Sequence, residues 1–277
     1  MWRGLPALCL LTVCAGVRGS PPFNTRNQIR SASKHSNLEA LNIHSGAHGD
    51  AHKQYSYVVM LVEISGYSGV HVVCSGAMLA PGWLLTSANC FRNMSGTLFV
   101  WYGNYTVSPL RTLMYSEVTK VYRHPAYNVD TLNNYYFIQN AIGLASVNKI
   151  DLKSYGRVLP VDYTALFGLP GTYFGGEAEE RSGDLSGPLR AWEGVLVSCP
   201  LAKKKRARYQ VCVSPRCPLK LRAPLATDLG GPLVLSGHVV GPLIRFVFDN
   251  TYLLPVVTPL SPHLDWMASI MGTDVTA

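Results

Sequence analysis

The chain has 277 residues, 48% of them hydrophobic and 14% charged, and its formal net charge is +8. This length suffices for one large domain or two small ones. The content of Gly, Pro and Tyr favours many short strands and turns over long helices. After the first twenty residues there is no run of about 18 apolar residues, which argues against a transmembrane helix there.

Residues 1–19 are typical of a secretory signal peptide. Arg3 supplies the basic start, an apolar run follows it, and small residues come next. The run is too short to span a bilayer comfortably, so we expect cleavage between Ala15 and Gly19 rather than an uncleaved anchor. The protein is then secreted into the extracellular space, without a transmembrane segment.

Residues 20–50 are polar and show little periodicity, so we interpret them as a mobile N-terminal extension. His44, His48 and His52 recur every four residues, which would place them on one face of a helix. The glycines between them disfavour a helix, so a disordered polar arm is the better interpretation than a metal site. No CxxC pair occurs either, and we expect neither a metal nor a cofactor.

The cysteines fit an exported protein. Cys9 and Cys14 leave with the signal, and five remain: Cys74, Cys90, Cys199, Cys212 and Cys217. An odd number suggests two disulfides and one leftover thiol, either free or joined to another chain. Two N-glycosylation sequons, at Asn93 and Asn104, agree with export.

Much of the positive charge lies in the segment 203–208, KKKRAR, which contains Lys203, Lys204, Lys205, Arg206 and Arg208. Such a segment could bind sulfated glycans, acidic lipids or an acidic protein, but we expect no nucleic-acid partner. The alternatives are a cleavage site for a basic-specific protease and a solvated loop.

From residue 55 onward the sequence predicts β-strands. In chain order the candidates are YSYVVMLVEI, VHVVCSGAML, WLLTSA, TLFVWYG, EVTKVYR, AIGLASV, EGVLVSC, YQVCVS, GPLVLS, VVGPLIRFVF and LLPVVTPL. Short strands at close intervals indicate a sandwich or a barrel. One helix is predicted near the end, with Ser261 as its cap, Pro262 at its first position, and an apolar face of Leu264, Met267 and Ile270.

Four motifs occur in a fixed order: CSGAMLAPGWLLTSANC, VYRHPAYN with QNAIGLASV, TDLGGPLV, and VTPLSPHLDWM. The stretch LSGPLRAWEGVLVSC is a weaker fifth. In these motifs the chain from about 55 to 271 resembles the trypsin-like (chymotrypsin-fold) serine proteases. The resemblance implies an all-β domain over 51–277, with two packed six-stranded antiparallel β-barrels, a cleft between them and a C-terminal α-helix.

The resemblance places three unreactive side chains at the catalytic positions. Asn89 stands where the family has its histidine base, and an amide does not titrate near neutral pH. Ala141 stands at the position of the orienting carboxylate. Leu229 stands at the position of the serine nucleophile and has no lone pair with which to attack. We therefore expect an inactive homologue, a pseudoprotease.

Supporting positions differ from the family as well. Thr227 replaces a glycine whose backbone N–H helps to hold the oxyanion. Ala223 falls at the base of the specificity pocket, and Phe246 and Pro255 replace two small pocket-wall glycines. Asp228 matches the aspartate that pairs with a freed N-terminus in activated members, but the activation sequence is missing, so we leave its partner open.

The resemblance also implies disulfides Cys74–Cys90 and Cys199–Cys212. Leu225 and Leu235 stand where the family usually has a further cysteine pair, and Cys217 has no counterpart. We expect a secreted, non-catalytic protein that binds or regulates other secreted proteins, among them active proteases or their inhibitors. The alternatives are a cationic protein that binds glycosaminoglycans or surfaces through 203–208, and a hydrolase with a relocated site that uses such residues as Ser75, Ser87, His71 or His124.

Overall fold

A computed structural model of the chain describes residues 55–65, 69–92, 96–132, 135–176, 189–200, 209–215, 226–249 and 252–272. Several positions named above lie outside these ranges: the signal and extension, the basic segment 203–208, Asn93, Cys217, Ala223 and Leu225.

The first barrel has six antiparallel strands in the order β1–β2–β3–β8–β5–β4, and it closes because β4 pairs with β1. They are β1 (Val58–Ser65), β2 (Gly69–Ala80), β3 (Trp83–Ser87), β4 (Leu98–Trp101), β5 (Tyr115–Arg123) and β8 (Ile142–Val147). In β2, Val70 and Val72 are buried whereas His71 between them is exposed. This alternation is the two-residue period of a strand with one face on the core.

The second barrel has six strands as well, in the order β13–β10–β11–β12–β15–β14, and it closes where β13 pairs with β14. They are β10 (Pro170–Gly176), β11 (Leu189–Ser198), β12 (Val211–Pro215), β13 (Pro232–Leu235), β14 (His238–Asp249) and β15 (Tyr252–Val257). The short strand β9 (Arg157–Val158) adds a parallel edge to β14. The expected all-β, two-barrel architecture is confirmed.

Smaller elements complete the described fold. β6 (Asn128–Leu132) and β7 (Tyr135–Gln139) form a separate antiparallel hairpin. The α-helices are α1 (Pro109–Thr112) and α2 (Leu264–Met271). Four 3₁₀ turns are present in the described residues: Ala88–Phe91, Tyr163–Leu166, Ala226–Asp228 and Ser261–His263.

The C-terminal helix begins later than predicted. Ser261 does not cap it, because Ser261–His263 form a 3₁₀ turn and His263 is the N-cap residue of α2. Pro262 lies inside that turn, where its missing N–H costs no helical hydrogen bond. Met267 is fully buried, and the half-buried Leu264 and Ile270 pack against the core, so the predicted apolar face is present.

The two barrels pack directly against each other. The largest cluster of buried side chains contains first-barrel residues such as Leu85 and Trp101, and it continues into Phe174 and Val239 of the second barrel. Met267 of α2 belongs to the same cluster. The continuous apolar core therefore fixes the boundary between the barrels, where the resemblance places the site.

Both expected disulfides are present. Cys74–Cys90 joins β2 to the 3₁₀ turn Ala88–Phe91, with 5.9 Å between the two Cα atoms. Cys199–Cys212 joins the end of β11 to β12, with 5.0 Å between the Cα atoms. The first of these bonds fixes the turn that carries Asn89.

Candidate functional site

Asn89 lies in the 3₁₀ turn that follows β3, and its side chain bridges the two barrels. The turn is capped by Ser87, whose hydroxyl accepts a hydrogen bond of 3.3 Å from the N–H of Asn89. The side-chain Nδ2 of Asn89 donates to the carbonyl oxygen of Ile244 on β14 at 3.0 Å. Its Oδ1 accepts from the hydroxyl of Tyr127. Both ends of the amide are thus engaged within the protein.

Tyr127 closes this side of the site. It belongs to the turn after β5, where its N–H donates to the carbonyl of His124 at 2.8 Å. Burial raises the pKa of Tyr127, while the nearby Arg92 and Arg123 act in the opposite direction. The guanidinium of Arg123 also donates to the carbonyl of Phe91. The phenol is therefore a hydrogen-bond donor at neutral pH.

Ala141 is fully buried in an apolar environment. Its cluster contains Ile138, Ile244 and Leu254 together with the Cys199–Cys212 pair. Its carbonyl accepts from the N–H of Ala88 at 3.1 Å, which holds it beside the turn of Asn89. A methyl group suits this environment, whereas a carboxylate would be desolvated among hydrocarbon side chains.

Leu229 lies in a loop whose backbone is tightly fitted. Its carbonyl accepts from the N–H of Ser75 at 2.8 Å, and its half-buried side chain packs against the large core cluster. Gly230 follows with φ of +82°, and a Cβ there would lie 2.1 Å from Oγ1 of Thr86. A Cβ on Gly231 would lie 1.9 Å from the carbonyl oxygen of Phe174. The loop therefore needs both glycines for packing alone.

Thr227 and Asp228 precede Leu229 in the same loop. The carbonyl of Thr227 accepts from the hydroxyl of Ser75 at 2.8 Å, which ties the loop to β2. Asp228 is 1% exposed, and a Cβ on Gly175 would lie 2.2 Å from its Oδ1. Burial raises the pKa of the Tyr173 phenol, and the negative charge of Asp228 raises it further. The carboxylate thus lies inside the second barrel.

Phe246 and Pro255 lie opposite each other. They are register partners on the neighbouring strands β14 and β15. Pro255 is buried, and the half-buried ring of Phe246 packs against the core cluster of the second barrel. Two bulky side chains therefore occupy facing positions where the family resemblance puts small ones.

Among the described residues, the alternative serines Ser75 and Ser87 both form hydrogen bonds to the backbone. The hydroxyl of Ser75 donates to Thr227, and that of Ser87 caps the turn of Asn89. His71 is exposed on β2, and Nδ1 of His124 accepts from the N–H of Ala126 at 3.2 Å. No hydroxyl–imidazole hydrogen bond is present in the described part of the chain.

The described residues contain no group of three or more His, Cys, Asp or Glu side chains placed to hold a metal ion. None of their helices combines the length and apolarity needed to cross a bilayer.

The sequon at Asn104 is exposed, although its middle residue is buried. Asn104 and Thr106 both face solvent, and the Thr106 hydroxyl donates to Oδ1 of Asn104 at 2.7 Å. Tyr105 between them is 2% exposed, and its hydroxyl donates to the carbonyl of Val58 at 2.7 Å. The buried tyrosine anchors this sequon to the first barrel.

The sequence does not reveal the partners of Asn89. Tyr127 lies in the motif VYRHPAYN without any sign of this contact, and Ile244 contributes a backbone carbonyl that its side chain does not signal. The two partners are 38 and 155 residues away from Asn89. Closure of the first barrel brings Tyr127 to Asn89, and the packing of the two barrels brings Ile244.

The chain is similar to known serine proteases. The family model "Trypsin" matches residues 43–267. Human granzyme M is 25% identical over 221 residues, which cover 74% of this chain and 81% of granzyme M. Mouse kallikrein 1-related peptidase b24 is 35% identical over 63 residues, covering 22% of this chain and 24% of that protein.

Among solved structures, neuropsin, a serine protease expressed in the limbic system of mouse brain, superposes with a TM-score of 0.60 at 18% identity. The match covers 78% of this chain and 95% of neuropsin, and it shows a shared fold. Because the family model spans most of the described β-barrel region, the chain belongs to the trypsin family.

Proposed function

We propose that this chain is a secreted, non-catalytic member of the trypsin family that acts by binding or regulating other secreted proteins. The observation that supports this most directly is the occupied amide of Asn89, which is bonded to Ile244 on one side and Tyr127 on the other. An amide in this position neither accepts nor returns a proton near neutral pH.

The remaining positions support the same proposal. Ala141 offers only a methyl group to its apolar neighbours, and Leu229 offers no nucleophilic atom. Acyl transfer by this family's mechanism requires a hydroxyl, an imidazole and an orienting carboxylate together. Phe246 and Pro255 are register partners on neighbouring strands, and the resemblance implies small pocket-wall glycines at these two positions. What remains is a disulfide-braced scaffold with many surface loops, which suits protein recognition.

A labelling experiment tests the loss of catalysis. The purified full-length chain is incubated with a fluorophosphonate probe and with a peptide library, beside active trypsin as a positive control and heat-denatured chain as a negative one. We expect labelling and hydrolysis at the level of the denatured control. Specific labelling that disappears in Ser75→Ala or Ser87→Ala would instead establish a hydrolase with a relocated site.

A binding experiment tests the positive half of the proposal. The biotinylated native chain is titrated by surface plasmon resonance against active secreted serine proteases and their protein inhibitors, with the denatured chain as reference. We expect saturable binding to at least one of them that does not depend on cleavage. If neither the proteases nor the inhibitors show saturable binding, a role as a decoy or cofactor in proteolysis is contradicted.

The distribution of charge along the chain favours a second function, the binding of polyanions. The described residues contain nine Lys or Arg and nine Asp or Glu, so the formal charge of +8 comes from outside them. Outside the described residues, the segment 203–208 alone contributes five Lys or Arg residues and no Asp or Glu. We infer that this segment binds sulfated glycans, since dense positive charge attracts polyanions.

Salt-dependent chromatography tests the glycan hypothesis. The wild type and a variant with Lys203, Lys204, Lys205, Arg206 and Arg208 all changed to Gln are eluted from heparin with a salt gradient. We expect the wild type to elute at the higher salt concentration, because ionic contacts weaken as screening increases. Equal retention of the two proteins would contradict this role.

A further inference from the structure

A row of aromatic rings joins the second barrel to the C-terminal helix. Neighbouring ring centroids are separated by 6.2, 6.1, 5.9, 4.8 and 5.0 Å along the row Phe167, Tyr163, Tyr209, His263, His124 and Trp266. His263 immediately precedes α2, Trp266 lies on α2, and His124 follows β5. The row therefore connects α2 to both barrels.

His263 is the unusual member of this row. Its side chain is polar and yet only 4% exposed. Within the described residues its Nε2 is buried and has no hydrogen-bond partner. Both flanking rings meet it edge to face, at 74° for His124 and 82° for Tyr209. An uncharged imidazole suits this environment, since a charged one would be buried without an acceptor.

His124 is held in its neutral form by its own contacts. Its Nδ1 accepts the N–H of Ala126, so a proton on this nitrogen would break that hydrogen bond. The ring lies between His263 and Trp266. Two positive charges on neighbouring imidazoles would also repel each other.

No carboxylate of the described part compensates such charges. The groups that face His263 from other elements are the His124 imidazole and the Tyr209 phenol. Its own segment contributes Asp265, whose side chain is exposed and forms no ion pair with either imidazole among the described residues. The cation nearest in sequence, Arg123, is exposed and donates to Phe91.

We propose that His124 and His263 form an acid-sensitive latch that fastens α2 to the two barrels and loosens when either imidazole takes up a proton. This inference goes beyond the proposed function, because it concerns how the fold responds to its surroundings and holds whether or not the chain is catalytic. Met267 and Met271 pack in the core and carry no titratable group, so we expect the helix to loosen locally while the barrels stay closed.

The direction of the pH effect follows from the two pKa shifts. Burial, together with the neighbouring His124, lowers the pKa of His263 to about 4, and burial lowers the pKa of His124. Groups with a lowered folded pKa bind more protons once released, so acid favours the released form. The latch is therefore complete above about pH 6.5, the pKa of a free histidine. It weakens as the pH falls from there towards 4.

Hydrogen exchange measured by mass spectrometry on the full chain tests this latch. Protection of a peptide covering α2 is compared with that of a peptide covering β1 at pH 7 and pH 5, after correction for intrinsic rates. We expect protection of α2 to fall on the order of tenfold relative to β1 in acid.

Variants at the two histidines complete the test. His263→Phe and His124→Phe each keep a ring in place but remove one of the two protonatable imidazoles, so the acid-induced loss should shrink in each and disappear when both are combined. His71→Phe, the same change at an exposed site on β2, should retain the full loss. If variants at His263 do not fold, His124→Phe and the wild type decide the outcome. Equal behaviour of α2 and β1 in the wild type, or acid loosening as large in His124→Phe as in the wild type, would overturn the latch.

Discussion

The side chain of Asn89 on the first barrel donates a hydrogen bond of 3.0 Å to the backbone carbonyl of Ile244 on the second. Asn89 also accepts from Tyr127. Asn89 therefore has a structural role, because it ties β14 to the turn after β3.

Changing Asn89 to Ala should destabilise the fold. The substitution leaves the Ile244 carbonyl and the Tyr127 hydroxyl without their partner, which costs about 1–3 kcal/mol. Urea unfolding followed by circular dichroism measures the change as a lower midpoint with an unchanged slope. Asn128→Ala on the exposed side of β6 serves as the control and should stay within about 0.5 kcal/mol of wild type. Equal midpoints for the two variants would show that the bridge contributes nothing.

Restoring a carboxylate at position 141 should be strongly unfavourable. Ala141→Asp buries a charge among Ile138, Ile244 and Leu254, and a buried uncompensated charge costs about 3–5 kcal/mol. The same change at exposed Ala126 should cost less than about 0.5 kcal/mol. Thermal unfolding of both variants at pH 7 separates these outcomes. A tolerated aspartate at 141 would mean that the surroundings still accept the family's charged residue.

Stability at alkaline pH should depend on Tyr105. Burial raises the pKa of this phenol, whereas the unfolded chain ionises near pH 10, so its contribution is complete below that pH and declines above it. Tyr105→Phe should cost about 1 kcal/mol at pH 8, because the bond to Val58 is lost. Above pH 10 the variant should lose less stability than the wild type. Urea midpoints of the wild type and the variant at pH 8, 10 and 11 test this. A constant difference between the two midpoints across these pH values would refute it.

The exposed sequon at Asn104 should carry a glycan when the chain is made in mammalian secretory cells. Its asparagine and threonine both face solvent, as an attached sugar requires. Asn104→Gln and Thr106→Ala should each migrate faster than the wild type by the mass of one glycan. Treatment with peptide N-glycosidase should bring the wild type to the mobility of the variants. Asn128→Gln, which lies outside any sequon, is the matched control. Unchanged mobility in both sequon variants would exclude modification at this site.

Most of the barrel strands could be predicted because their apolar and β-branched runs are set by burial on one face. Strand β10 was not predicted, because its formation depends on pairing rather than on its own sequence. β10 contains Pro170 and several glycines, which locally favour a loop. It becomes a strand because β11 and β13 pair with it on both sides. Gly175 is needed there because Asp228 lies against it.

The contacts of the candidate site could not be predicted from the sequence. The motifs single out Asn89, Ala141 and Leu229 by resemblance, since each stands at a fixed offset from cysteines or glycines, and their correspondence to catalytic positions stays a prediction. They gave no information on the bridge from Asn89 to Ile244, because a backbone carbonyl presents the same chemistry whatever its side chain. The cap of α2 was misplaced for a similar reason: Ser261 and Pro262 fit a helix start as well as the 3₁₀ turn that forms.

The disulfide between Cys74 and Cys90 has a consequence for how this molecule tolerates change. It clamps the main chain next to Asn89, and the neighbouring Ser87 cap secures the same turn from the other side. Position 89 can therefore exchange its side chain without displacing the strands that support it. Covalent bracing of this kind lets the backbone of a loop persist while the side chains that it presents change.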